Sequence, residues 1–181
     1  RWQGTRGQPG KSFRNLELRP RSACSLPTTL HFLRLQYVMS KITKTENEWR
    51  EQLSEVEYKV LREKDTEPPG SGEYDKFKPS QGYFVCKGCG NPLYSAAAKF
   101  NSGCGWPAYD KCFNGGVATH TDKSYGMERI EILCAKCDGH LGHVFVGEGM
   151  TPTNERHCVN SVSVKYIDQP VPAELTESKV T

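Results

Sequence analysis

The sequence has no run approaching the roughly 20 apolar residues that a bilayer-spanning helix needs, so no membrane partner is expected. No secretory core segment followed by a small-residue cleavage site stands out. No βαβ alternation is visible, which argues against a parallel sheet. Acids are almost missing from one stretch: residues 1–38 hold six Arg and Lys11 against Glu17 alone, a net of +6. The rest of the chain is at −3, so the overall +3 belongs to the N-terminal stretch. A nucleic-acid footprint on the remainder loses its main support, and no nucleic-acid partner is expected.

What is present fits one domain with a real core plus a tail: 181 residues, 36% hydrophobic and 25% charged. Residues 1–40, rich in Arg, Ser and Thr, have the composition of a mitochondrial transit peptide. They read equally as a disordered extension, or as sequence upstream of a start at Met39. The expected location is cytoplasmic or mitochondrial. The domain is expected over 41–168, with 169–181 a flexible tail beginning about Pro170.

Two capping boxes open the domain. Thr45-x-x-Glu48 starts a helix through Trp49 and Leu53, and Ser54-x-x-Glu57 starts another through Val56, Val60 and Leu61. Pro68, Pro69 and Gly70 mark the end of the second. Beyond residue 74 come short strand-like runs at 81–85, 116–121, 127–133, 141–146 and 156–166, divided by Gly, Pro and Asn. A mainly β fold is expected, with antiparallel sheets in a barrel- or sandwich-like core and the short helices at its N-terminal side.

Eight cysteines are spread over the chain, at 24, 86, 89, 104, 112, 134, 137 and 158. Two C-x-x-C units without a secretory signal favour metal binding or redox chemistry over a disulfide framework. In Cys86-Lys-Gly-Cys89-Gly and Cys134-Ala-Lys-Cys137-Asp-Gly, two intervening residues let a tight turn aim both sulfurs at one ion. Together the turns supply four thiolates, the closed tetrahedral set of one structural Zn²⁺. The long gap between them implies a clip joining separate parts of a β fold. A closed set leaves no open position, so this metal is not expected to be the catalyst.

Four cysteines remain. Cys24 lies in the N-terminal stretch, and Cys112 has no acid–base partner nearby. Cys158 sits in Arg156-His157-Cys158-Val159-Asn160-Ser161, where period-two alternation places Arg156, Cys158 and Asn160 on one face. A neighbouring Arg favours the thiolate, the nucleophilic form, and Asn160 can bond a substrate or a water. Gly139-His140-Leu141-Gly142-His143 offers two imidazoles as ligands, acid–base groups or surface residues. Ser102-Gly103-Cys104-Gly105-Trp106-Pro107 pairs an adaptable loop thiol with an aromatic wall. These residues alone admit a zinc-dependent binding module, a cysteine hydrolase using Cys158, His143 and Asn160, or a second zinc site from His140, His143 and Cys158.

Taken in order, C-K-G-C-G (Cys86–Gly90), S-G-C-G-W-P, C-D-G-H-L-G-H-V-F and R-H-C-V-N-S-V-S resemble the B-type methionine sulfoxide reductases, over about Trp49 to Tyr166. The resemblance implies an antiparallel β fold with a Cys₄ zinc remote from the active site. It implies Cys158 as nucleophile, Cys104 as resolving cysteine and Trp106 as the wall for the substrate methyl group. His140, His143, Arg156 and Asn160 become the polar set, with His143 or His140 the proton donor. Family members often carry Asp shortly after H-V-F; here the run is Val146-Gly147-Glu148-Gly149, and Glu148 is the candidate for that substrate-side place. The implied reaction reduces methionine (R)-sulfoxide, free or peptide-bound, through a sulfenic acid and a Cys104–Cys158 disulfide. Thioredoxin is the implied reductant, and a monomer is expected.

Overall fold

A computed structural model describes residues 41–181. The expectations for residues 1–40, Cys24 included, lie outside the described residues. Both capping boxes form: Thr45 opens α1 (Glu46–Gln52) and Ser54 opens α2 (Glu55–Glu63), each with reciprocal side-chain and backbone bonds. Helix α2 stops at Lys64, which takes a left-handed backbone at φ 61, before the Pro-Pro-Gly that was expected to end it. Residues 65–70 are therefore free to run as irregular chain across one end of the sheet.

The strands are β1 (Tyr83–Cys86), β2 (Pro92–Ser95), β3 (Lys99–Phe100), β4 (Ala108–Tyr109), β5 (Cys112–Phe113), β6 (Val117–Asp122), β7 (Arg129–Cys134), β8 (His140–Val146), β9 (Glu155–Val159), β10 (Val164–Ile167) and β11 (Glu177–Ser178). Every pairing is antiparallel. The main sheet has the order β3-β4-β9-β8-β7-β6, a second has β10-β1-β2, and β11 pairs with β5 alone. The mainly antiparallel β class is as expected, but no sheet among the described residues closes into a barrel.

The run expected as one strand over 156–166 is two. A single 3-10 turn, Ser161–Ser163, breaks it, and the chain leaves the main sheet for the small one. Part of the stretch expected as a flexible tail, 169–181, makes contacts with the rest of the chain. Residues 177–178 pair with β5, and the backbone N–H groups of Val180 and Thr181 donate to the buried Glu155 carboxylate at 3.0 and 2.8 Å. Two charge-assisted bonds and a short ladder hold what composition alone reads as disordered.

Between the sheets and helices lies one core including Trp49, Leu61, Phe84, Leu93, Tyr94, Tyr109, Ile132, Leu141 and Val159. Tyr94 and Tyr109 stack with ring centroids 4.1 Å apart, and Phe84 meets Tyr109 edge-on. Trp49 and Leu61, from the two helices, are 2% and 1% exposed. Burying each such side chain contributes about 1.5–3 kcal/mol. Neither short helix is stable alone, so this packing is what holds them.

Two local features set the main sheet's working face. Opposite Ile132 and Leu133 of β7, strand β8 presents Gly142 and then His140, so Leu141 is an extra residue. This bulge puts His140 and His143 on the same side, with ring centroids 5.6 Å apart. Strict alternation would place residues three apart on opposite faces. At Gly142 a Cβ would lie 2.0 Å from the carbonyl oxygen of Cys158. Only glycine permits β8 to approach β9 there.

Candidate active site and metal centre

The C-x-x-C turns are built alike. Gly90 N–H returns to the Cys86 carbonyl and Asp138 N–H to the Cys134 carbonyl, at 2.8 and 2.9 Å. The residue after each second cysteine takes a left-handed backbone, Gly90 at φ 73 and Asp138 at φ 57. In the second turn it is Asp138, not the following glycine, that makes the bend. The four sulfurs lie within 4.8 Å of one another; Cys86–Cys137 is 3.7 Å and Cys89–Cys134 is 3.5 Å. Tetrahedral zinc with sulfur bonds of about 2.3 Å requires sulfurs about 3.8 Å apart, so the set fits a metal ion of that kind. The cluster joins the turn after β1 to the end of β7, as expected of a clip.

The second site forms where β8 and β9 run side by side. His143 is directly opposite Cys158 and Phe145 opposite Arg156, so all four share the face that also carries His140. From the other flank β4 pairs with β9, which brings the loop of Cys104 and Trp106 over the strand. The sulfurs of Cys104 and Cys158 are 3.7 Å apart. A cavity of about 130 Å³ opens beside Cys158, lined by Trp106, Arg129, His143, Phe145 and Asn160 among others.

The two thiols give up one proton easily and hold the other between them. The Cys104 thiol is pushed down to about 5, first by its hydrogen bond with Cys158 and then, against burial, by Ser102 and the Arg156 charge. The same bond, with burial, pushes Cys158 up. A single negative charge between them is stabilised by the guanidinium of Arg156. Cys112 differs: it is buried in β5 and pushed up to about 12, chiefly by burial.

The remaining residues singled out in the sequence fall as follows. Arg156 is gripped by Glu148 at 2.6 and 2.8 Å and stacks over Phe145 at 4.3 Å. Glu148 thus holds the arginine, and it is not among the residues lining the cavity. Asn160 accepts from Glu67 N–H at 3.1 Å and donates to the Leu141 carbonyl at 3.1 Å, so its amide stitches chain segments as well as bordering the cavity. Trp106 Nε1 donates to the Glu67 carbonyl at 3.0 Å. His143 lines the cavity, and its Nε2 meets Asp122 at 2.9 Å. His140 does not line it; it is 2% exposed, with Nδ1 on Glu131 at 2.7 Å.

Sequence reading missed Asp122, Glu131, Arg129 and Glu67. Arg129 also bonds Asp122, at 2.7 Å. The Asp122 carboxyl is held well below the usual range, first by Ser124 and then by His143. Burial pushes the Glu131 carboxyl up, but bonds from Lys64 and His140 outweigh it and leave it lowered. Burial pushes His140 down, against the opposing pull of Glu131. These acids lie on neighbouring strands, Glu131 opposite His143. Cross-strand pairing was the only available signal, and it needs the register first.

A β domain that carries a closed cysteine cluster at one place, and two thiols in contact beside a cavity at another, is built as a thiol oxidoreductase. A family model described as SelR domain matches residues 53–168. The chain is 55% identical over 127 residues to "Peptide methionine sulfoxide reductase B3, chloroplastic" of Oryza sativa subsp. japonica, covering 70% of this chain and 54% of that protein. It is 54% identical over 126 residues to "Peptide methionine sulfoxide reductase B5" of Arabidopsis thaliana, covering 69% and 88%. With "Peptide methionine sulfoxide reductase B2, chloroplastic" of Arabidopsis thaliana it shares 55% over 128 residues, covering 69% and 61%. The match thus spans about half of the rice protein and most of the Arabidopsis B5 protein. The chain belongs to the SelR family, that of the B-type methionine sulfoxide reductases.

Proposed function

We propose that this chain reduces the R epimer of methionine sulfoxide, free or within a polypeptide, with Cys158 as nucleophile and Cys104 as resolving thiol. Family membership supports the reduction of methionine sulfoxide. The observation that carries the residue roles is the 3.7 Å contact of the two sulfurs beside a cavity walled by Trp106.

The Cys158 thiolate attacks the sulfoxide sulfur, while Cys104 holds the shared proton and Arg156 steadies the charge. The sulfoxide oxygen takes a proton and passes to Cys158 as a sulfenic acid, releasing methionine. His143 is the donor favoured here, because it lies opposite Cys158 and borders the cavity, whereas His140 is turned into a buried pair with Glu131. Asp122 orients the His143 ring through Nε2. Cys104 then attacks the sulfenic sulfur, and water leaves as the disulfide forms. A dithiol protein of the thioredoxin class returns both thiols by exchange.

Cys86, Cys89, Cys134 and Cys137 would hold one Zn²⁺, whose part is to cross-link two regions of the fold. A monomer suffices, since every group invoked comes from one chain. A cytoplasmic or mitochondrial location remains our reading of the N-terminal stretch, while two of the plant relatives are named chloroplastic.

The test is turnover of separated R and S sulfoxides with dithiothreitol. Turnover of R alone supports the proposal; preference for S, or none, refutes it.

A further inference from the structure

Glu67 is a buried acid that none of the steps above uses. It is 6% exposed, in the irregular segment between α2 and β1, and it touches three separate parts of the site. Its backbone N–H donates to Asn160 Oδ1 at 3.1 Å. Its backbone carbonyl accepts from Trp106 Nε1 at 3.0 Å. Its carboxylate accepts from the backbone N–H groups of Ser161 and Val162, at 2.5 and 3.3 Å. Those two open the 3-10 turn that carries the chain out of β9 just past Cys158.

We propose that Glu67 is a positioning residue for substrate binding: it fixes the Trp106 indole and the Asn160 amide relative to the nucleophile strand. This inference rests on the reductase reading.

The physical case is a matter of who holds whom. Trp106 stands in a Gly-containing loop whose backbone does not define a ring orientation by itself, and its single polar atom is taken by the Glu67 carbonyl. Asn160 follows β9 and keeps its acceptor on the Glu67 N–H. Both are backbone bonds, so any side chain at position 67 could make them, provided the segment stays in place. The carboxylate is what keeps it there. Two N–H donors to one buried carboxylate are stronger than bonds to a neutral acceptor, and losing the carboxylate would leave two turn N–H groups without their partner. Packing around it is tight: a Cβ on Gly72 would sit 2.6 Å from Glu67 Oε1 and 2.2 Å from Ser161 Oγ. The two reactive sulfurs are not bonded to Glu67. The inference therefore separates substrate positioning from thiol chemistry.

The experiment compares Glu67→Ala, Glu67→Gln and Gly72→Ala with the unaltered full chain. KM and kcat for R-sulfoxide are measured with dithiothreitol, alongside Trp106 emission referenced to Trp106→Phe and the pH profile of iodoacetamide labelling at Cys104 and Cys158. Expected for Glu67→Ala is a KM raised about tenfold or more, with kcat falling less, an altered Trp106 emission, and an unchanged labelling profile. Glu67→Gln, which keeps an acceptor oxygen, recovers most of the loss. Gly72→Ala, which displaces the carboxylate without removing it, reproduces the effect. If Glu67→Ala does not fold, Gly72→Ala and Glu67→Gln decide the question by the same readouts. Unchanged KM and emission in folded Glu67→Ala or Gly72→Ala overturns the proposal, and so does a labelling profile that shifts with them. Failure of the reductase reading shows separately, as an unaltered chain that does not turn over R-sulfoxide; the emission comparison still reports whether Glu67 holds Trp106.

Discussion

Two groups of sulfur atoms in this molecule have nearly the same spacing and opposite surroundings. Around Cys86, Cys89, Cys134 and Cys137 the separations are 3.5 and 3.7 Å, and three of the four side chains are buried. Between Cys104 and Cys158 the separation is 3.7 Å, but both are only partly buried, a cavity opens beside Cys158, and a guanidinium stands close by. Distance does not tell the groups apart; number and surroundings do. Four thiolates crowded together need a cation to neutralise them, and a tetrahedron of sulfurs excludes everything else. Two thiols near one fixed positive charge can share a proton and, once a sulfoxide has oxidised one of them to a sulfenic acid, join with loss of water.

The sharpest way to break this contrast is Cys158→Ser. Activity should fall at least about a thousandfold, since Cys158 is the nucleophile of the proposed mechanism, while metal content and thermal midpoint stay as in the unaltered chain. A parallel loss of zinc would mean the two groups are not independent. The reverse experiment removes the metal. Chelation, or Cys134→Ser, should abolish the cooperative unfolding transition, because structural zinc contributes on the order of 10 kcal/mol to folding. A chelated protein that melts normally would remove the clip from the account.

Cys104→Ser should leave one stoichiometric turnover intact and cut sustained turnover with a thioredoxin-class reductant about tenfold or more. Full sustained activity would leave Cys104 without a role. A gentler probe uses acidity. Iodoacetamide should label the reactive pair at pH 6, since its first proton leaves near about 5, and labelling should decline only as pH falls through that value. Cys112, at about 12, should stay unlabelled at pH 8 in the folded chain. Labelling of the pair that rises only near pH 8.5, like a free thiol, would contradict the shared charge. Smallest is Glu148→Gln, which weakens the grip on Arg156. A loss of activity of roughly threefold to tenfold is expected, the pair being partly exposed and partly screened.

The parts of this molecule legible in the sequence are those fixed by contacts close along the chain. Thr45 with Glu48, Ser54 with Glu57 and the two C-x-x-C turns each close within three or four residues, and all formed as read. The end of α2 was misplaced because Lys64 could take a left-handed backbone without being glycine or asparagine. The 156–166 run hid its break because Ser161-Val162-Ser163 is apolar–polar alternating like a strand; the turn is capped by Glu67, some 94 residues away. The C-terminal residues looked disordered because their partner, Glu155, is remote in sequence and buried. Within the site, Cys158 and Arg156 could be placed on one face by alternation, but the supports of the histidines, Asp122 and Glu131, required a strand register that local pattern does not supply.

The extra residue in β8 has a consequence for how this protein can vary. His140 and His143 look the same way only because Leu141 is counted once on its own strand and not at all on the neighbour. Their relation is one of parity. Exchanging Leu141 for another apolar residue would leave both imidazoles where they are, at some cost in packing. Deleting it would leave the histidines two residues apart in an unbroken ladder, where plain alternation keeps both on this face; keeping it but pairing it like its neighbours would turn one ring to the opposite surface. In a gene for this protein, a three-base deletion at that codon would therefore leave the two rings on one side and cost the strand its bulge and the core a leucine.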